Sequence, residues 1–258
     1  MKIAVIGLGL IGGSIFKRLS KEGLDVIGIS ASQSGENIYS DYDYLSDCDV
    51  VFVASPMNSV PAVLEKISDI VKQTTVVTDV CSLKAFLLQR DYPFNFIPSH
   101  PMAGTEFKGF ENSFDSLFEG AKWVITPLSE IQDTGVLEDL IRKMGAEPIY
   151  TTAEEHDKAV ALISHAPMVI SQALFKAVEG NDLALKLASS GFRDMTRLAL
   201  SNIEMAQDMV ELNSCNIQNS LLKIYASIGD LLEHYDEKTL THIVEKRALM
   251  YKDGKNVL

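Results

Sequence analysis

The chain has 258 residues, enough for one large domain or two modest ones. Its net charge of −12 and isoelectric point near 4.8 exclude the basic surface that nucleic acid or an anionic membrane requires, so neither is expected as a partner. Cys48, Cys81 and Cys215 show neither metal-ligand nor disulfide spacing, which suits a reducing cytoplasm, and nothing calls for a metal.

The N-terminus, MKIAVIGLGLIGGSIF, superficially mimics a signal peptide, but its glycines and the KRLSKEG that follows argue against one. No stretch reaches the ~18 uninterrupted apolar residues of a membrane helix. KIAVIG reads as a buried strand, Gly12 to Lys21 as a helix, and LDVIGIS as a second strand. The polar stretch to Asp49 allows at most one short helix. VVFVASP is another buried strand, and Val60, Val63, Leu64, Ile67, Ile70 and Val71 share one helical face. TTVVTD, FNFIPS, KWVITP and EPIYT read as further strands, with a helix expected from Glu130 to Met144. This alternation predicts an α/β fold, a Rossmann-like doubly wound and mostly parallel sheet, over residues 1–150.

After Thr151 the strands stop. AEEHDKAVALISHAPMVISQALFKAV is one long helical pattern with Pro167 as an expected kink, and Glu204 to Tyr235 and Glu237 to Lys252 are helical too. Residues 151–258 therefore read as an all-helical domain. Its broad apolar faces suit a homodimer formed through that domain.

GLGLIGGS places Gly7, Gly9 and Gly12 in GxGxxG spacing, directly after a strand and opening a helix. Gly7 serves the tight turn, Gly9 lets backbone approach a pyrophosphate, and Gly12 lets helix and strand pack closely. Leu10 and Ile11 sit between the glycines and share the loop, and Ser55 and Pro56 end the strand VVFVASP; all are cofactor-binding candidates. The second strand ends at Ser30, followed by Ser32, where an NAD-selective site has an acid for the ribose hydroxyls. The missing carboxylate tilts the expectation to NADP, with NAD still possible because no arginine stands there.

FNFIPSHPMAGTEFKG places His100 between Pro98 and Pro101, which stiffen their surroundings and suit a positioned base at a strand end. TDVCSLKAF places Ser82 and Lys84 just beyond another strand end, where ligands bind in open α/β sheets. Arg193 and Arg197, in SSGFRDMTR, are one helical turn apart and are candidate carboxylate clamps, with Arg193 expected to pair with Asp194.

Together GLGLIGGS, TDVCSLK, HPMAGTE, EEHDKAVALISHAP and SSGFRDMTR resemble the prephenate and arogenate dehydrogenase family of tyrosine biosynthesis. The resemblance covers nearly the whole chain. It implies NAD(P)-dependent oxidative decarboxylation of arogenate or prephenate. His100 would take the ring-hydroxyl proton, Ser82 would hydrogen-bond both that hydroxyl and His100, and Arg197 would bind a substrate carboxylate. Glu106 matches a residue near the pocket mouth, and His165 matches the first histidine of an SHxPH stretch. His156, in the first turn of a helix, is expected to be structural. Met168 stands where many prephenate-using members have a second histidine, and Ala206 where many have a tryptophan. SHAPMVIS and ASSGFRD look closer to the cyanobacterial arogenate dehydrogenases, which favour arogenate and NADP. At this length neither a fused mutase nor an ACT domain is expected, and tyrosine feedback is then expected at the active site.

Two alternatives share these features. A β-hydroxyacid dehydrogenase would need a catalytic lysine in the helical half, where Lys158, Lys176 and Lys186 lack the matching glycine-rich setting. A non-enzymatic NADP sensor would need the glycine loop but not His100, Ser82 and Arg197 together.

Overall fold

The computed structural model describes residues 1–105, 107–252 and 255–256. A six-stranded, all-parallel sheet has the order β3-β2-β1-β4-β5-β6. Its strands are β1 (Lys2–Ile6), β2 (Asp25–Ile29), β3 (Ile38–Tyr39), β4 (Val50–Val53), β5 (Val76–Asp79) and β6 (Asn95–Phe96). Alternate residues point to opposite faces, and both faces are covered. Ile3, Val5 and Phe52 pack with Ile15 and Leu19 of α1 (Leu10–Lys21), while Ala4, Ile6, Val51 and Val53 pack with Leu64 and Ile67 of α2 (Val60–Ile67). Helices on both faces explain why these strands read as continuous apolar runs.

KWVITP and EPIYT do not extend this sheet. They form a second, three-stranded sheet ordered β7-β8-β9, from β7 (Ser99–Pro101), β8 (Lys122–Ile125) and β9 (Glu147–Tyr150), with β7 antiparallel to β8 and β8 parallel to β9. Ile97 N still donates to Val77 O at 2.8 Å, but Pro98 has no N–H to continue that ladder. The chain re-pairs instead, with His100 opposite Val124. His100 therefore sits inside a short strand rather than on a loop.

Helix α3 (Gly135–Lys143) begins five residues later than the expected start at Glu130. Gln132 leaves the helical path because its side chain donates to Asn95 Oδ1 at 2.8 Å and Phe96 O at 2.7 Å, closing the outer edge of β6. Asp133 then accepts from Gly135 N at 3.0 Å.

The second half is mostly helical: α4 (Ala153–Val160), a π turn over Ala161–His165, α5 (Ala166–Val178), α6 (Asp182–Leu187), α7 (Ser190–Met195), a 3-10 turn over Arg197–Leu200, α8 (Ile203–Leu212), α9 (Ser214–Glu233) and α10 (Glu237–Met250), which stops short of the expected Lys252 where Tyr251–Lys252 pairs antiparallel with Lys255–Asn256. The expected kink at Pro167 is realised as the π turn just before it, which absorbs the missing N–H by widening the helix. In a regular helix, at about 100° per residue, His156 and His165 would point to opposite faces. The widened turn rotates the later face, and both rings are buried. The run Ala153–Val178 is long and apolar enough by composition to cross a membrane, yet His156, Val160, His165 and Met168 along it are buried within the protein. The stretch from Glu204 to Tyr235 is two helices, not one. Buried Asn213 breaks it, its side chain donating to Asp157 O at 2.9 Å.

Asp79 and Lys84 form an ion pair with both side chains fully buried. Lys84 Nζ also donates to Ser99 O at 2.6 Å, and Asp79 accepts from Cys81 N and Ser99 N. Removing one partner strands a charge in the core. Lys84→Met should therefore lower unfolding free energy by ~3–5 kcal/mol in urea titrations, and adding Asp79→Asn should restore much of that loss.

Candidate active site

All six strands of the main sheet point the same way, and the order reverses between β1 and β4, so their carboxyl ends open a crevice. The glycine loop lies there. Gly7 has φ +86°, and a Cβ on it would come within 2.6 Å of Ala54 O; a Cβ on Gly12 would overlap Gly7 O. Nothing approaches the Cβ direction of Gly9. Gly9 caps α1 without a side chain, Leu10 and Ile11 open the helix half-buried, and no acid occupies its first turn. This cradle fits a dinucleotide pyrophosphate on the helix N-terminus. Ser55 and Pro56 follow β4 beside it, Pro56 exposed and capping a short 3-10 turn. Ser30 follows β2; its Oγ accepts from Ser32 N at 3.3 Å and Gln33 N at 3.1 Å, while Ser32 itself is exposed. The loop after β4 is held from the helical half, where Asn58 donates through N and Nδ2 to the buried Asp208 carboxylate.

His100 is brought to the end of β5 by Ser99, whose Oγ meets Thr78 Oγ1 at 2.8 Å and donates to Asp79 O at 2.9 Å. Trp123 Nε1 donates to the same Ser99 Oγ at 2.9 Å. His100 is partly buried, and its Nδ1 lies 2.9 Å from Nε2 of His156. His156, 3% exposed, continues through Nδ1 to Asp157 Oδ1 at 2.8 Å. Asp157 also accepts from Lys84 N and Ala85 N, both at 2.9 Å. Burial pushes the His100 imidazole well below its usual value near 6.5, and His156, Lys84 and His165 act in the same direction. His100 is thus neutral at neutral pH and able to accept a proton.

The expected hydrogen bond from Ser82 to His100 is absent. Ser82 Oγ instead contacts Met57 Sδ at 3.9 Å, and His156 takes the place beside His100. His156, expected to be structural, is the ring that reaches His100. The adjacent acid in His156-Asp157 was the one signal that could have marked it.

His165 is fully buried, near Asn213, and burial lowers it to about 4. Its Nε2 is buried and has no hydrogen-bond partner among the described residues. Arg193 pairs with Asp194 at 3.1 Å, as expected, and stays exposed. Arg197 opens the 3-10 turn, exposed and without an ion pair among the described residues. Glu106 lies outside the described residues. Met168 and Ala206 are both buried in one apolar cluster with Val160 and Met209 and add no polar group.

A dinucleotide cradle at the switch point of a parallel sheet, with a histidine held past the end of another strand of that sheet, defines an NAD(P)-dependent oxidoreductase with a helical second half. Residues 30–150 match the prephenate dehydrogenase nucleotide-binding domain, and residues 152–246 the prephenate dehydrogenase dimerization domain. Cyclohexadienyl dehydrogenase of Zymomonas mobilis is 28% identical, over 95% of this chain and 96% of its own. The crystal structure of Synechocystis arogenate dehydrogenase is 31% identical with a TM-score of 0.80, covering 95% of this chain and 97% of that one. Prephenate dehydrogenase from Aquifex aeolicus, in complex with hydroxyphenyl propionate and NAD+, is 25% identical with a TM-score of 0.82, covering 96% of each. The chain belongs to the prephenate and arogenate dehydrogenase family, which sets aside the β-hydroxyacid and sensor readings.

A base must be unprotonated to act. With His100 as the expected base, its lowered pKa should let activity persist below the ordinary imidazole range and fall only as acid protonates His100. A kcat/KM profile against pH should place that acid limb below 6.5; a limb at or above this value would contradict the assignment.

Proposed function

We propose that the protein oxidatively decarboxylates arogenate with NADP in tyrosine biosynthesis, with His100 as the proton acceptor. The observation that carries this reading is an imidazole at the end of β5 whose Nδ1 is already engaged by His156, leaving Nε2 for substrate. His100 takes the proton of the ring hydroxyl as the hydrogen on the same ring carbon leaves as hydride. Bound oxidised nicotinamide accepts that hydride. The ring carboxylate departs as carbon dioxide, and its bonding electrons complete the aromatic ring. In this reading Ser82, half-buried past β5, donates to the substrate hydroxyl without touching His100.

A protein of net charge −12 needs a local cation to hold an anionic substrate. Arg197 carries its charge exposed while Arg193 is engaged with Asp194, which favours Arg197 as the carboxylate clamp. Met168, where many prephenate-using relatives have a histidine, removes a potential cation and favours a substrate bearing its own ammonium. Cofactor choice rests on Ser30, whose hydroxyl accepts two backbone amides and keeps its proton to donate to a 2′-phosphate. We further place a domain boundary near Tyr150 and a homodimer interface on the helical half. Leu222, Tyr225, Ile228 and Leu232 line one exposed face of α9 at helical spacing. Three free cysteines suit the cytoplasm.

Purified protein mixed with arogenate or prephenate and each oxidised cofactor, followed at the reduced-nicotinamide absorbance, tests the reading. The arogenate–NADP pair should give the highest kcat/KM, with His100→Asn lowering kcat by ~10²–10⁴-fold at little change in KM. Ser30→Asp should reverse cofactor preference. A wild-type preference for NAD, or near-normal turnover in His100→Asn, would overturn these assignments.

Arg197→Ala should raise KM for the substrate by roughly ten- to a hundredfold, the loss of a charge-assisted hydrogen bond of ~1.5–3 kcal/mol. Arg193→Ala should do less, since its guanidinium is already paired. The reverse ranking would identify Arg193 as the clamp.

A further inference from the structure

His100, His156 and Asp157 form a continuous hydrogen-bonded chain across 56 residues of sequence, and its direction can be read from its end. Asp157 is 5% exposed. Its carboxylate serves only as an acceptor: Oδ1 receives Lys84 N and His156 Nδ1, and Oδ2 receives Ala85 N. The proton of neutral His156 must then sit on Nδ1, which leaves a lone pair on Nε2. That lone pair can only accept from His100 Nδ1. His100 therefore carries its proton on Nδ1 and presents a bare Nε2. A His156 donating through Nε2 would force His100 into the opposite tautomer, with Nε2 unable to take a proton.

We propose that His156 and Asp157 are positioning residues that fix the tautomer of His100 and make Nε2 its basic nitrogen. The inference rests on the reading of His100 as the base. The step is a single proton transfer from the substrate hydroxyl to His100 Nε2, with no bond made or broken within the chain. As His100 becomes cationic, its Nδ1–H bond to His156 strengthens, and the Asp157 carboxylate faces the developing charge through the intervening ring. This is the orienting logic of an acid–histidine pair, extended by one imidazole. It also ties the base to domain placement, because the relay closes only when α4 sits against the loop after β5.

Two measurements test it. The protein has five histidines, so 15N-histidine NMR of the intact chain can resolve each ring, with His100→Asn identifying the His100 signals. The wild type at neutral pH should show His100 and His156 both protonated at Nδ1, and His156→Leu should move the His100 proton to Nε2. In steady-state assays His156→Leu should lower kcat by about a hundredfold or more with substrate KM within a few-fold. His156→Gln, whose carbonyl can accept from His100, should recover kcat to within about tenfold of wild type. A wild-type His100 protonated at Nε2, or His156→Leu turning over within about threefold of wild type, would overturn the relay. The wild-type spectrum needs no folded variant and no substrate. A protein inactive on both arogenate and prephenate would overturn the functional reading while the tautomer is still read directly.

Discussion

The carboxylate of Asp157 is the contact on which the rest of the site depends. It is buried, it belongs to the first helix of the helical half, and it gathers two backbone amides from the loop after β5 together with the ring of His156. The same loop carries Ser82, and its Lys84 reaches back to Asp79 and Ser99 O. Ser99 in turn precedes His100. One short side chain thus joins the sheet, the second sheet and the helical half around His100. A buried donor left without its acceptor costs about 1–3 kcal/mol, so each member of this network restrains the others.

Two irregularities in the helices lie close to that contact. The π turn at Ala161–His165 brings His156 and His165 to the interior along one helix that a regular geometry would have split between faces. Asn213 interrupts the next long helical stretch so that its amide can meet Asp157 O and lie 3.4 Å from His165 Nδ1. Both departures from regular structure occur beside the site, where they orient side chains rather than weaken the fold.

The parts legible in the sequence were those with local signals. The glycine loop, the strand runs of the main sheet and the long apolar helices each carry their reason within a few residues. Local signals failed where a distant partner decided the outcome. Gln132 looks like helix but serves the edge of β6, 36 residues away. KWVITP looks like any buried strand, and only the pairing of His100 with Val124 assigns it to a second sheet. His100 was visible through its flanking prolines, whereas His156 had no cue except a neighbouring acid. Ser82 was placed near the right strand end, but no spacing rule could show that its hydroxyl would meet Met57 and not the histidine.

The central claim is that Nε2 of His100 receives the proton of the ring hydroxyl. A crystal structure with oxidised cofactor and a phenolic product in the crevice tests it most directly. The account predicts the phenolic oxygen within ~2.6–3.2 Å of His100 Nε2, with His156 still on Nδ1. A phenolic oxygen held by other groups, with Nε2 of His100 turned away from the ligand, would contradict it.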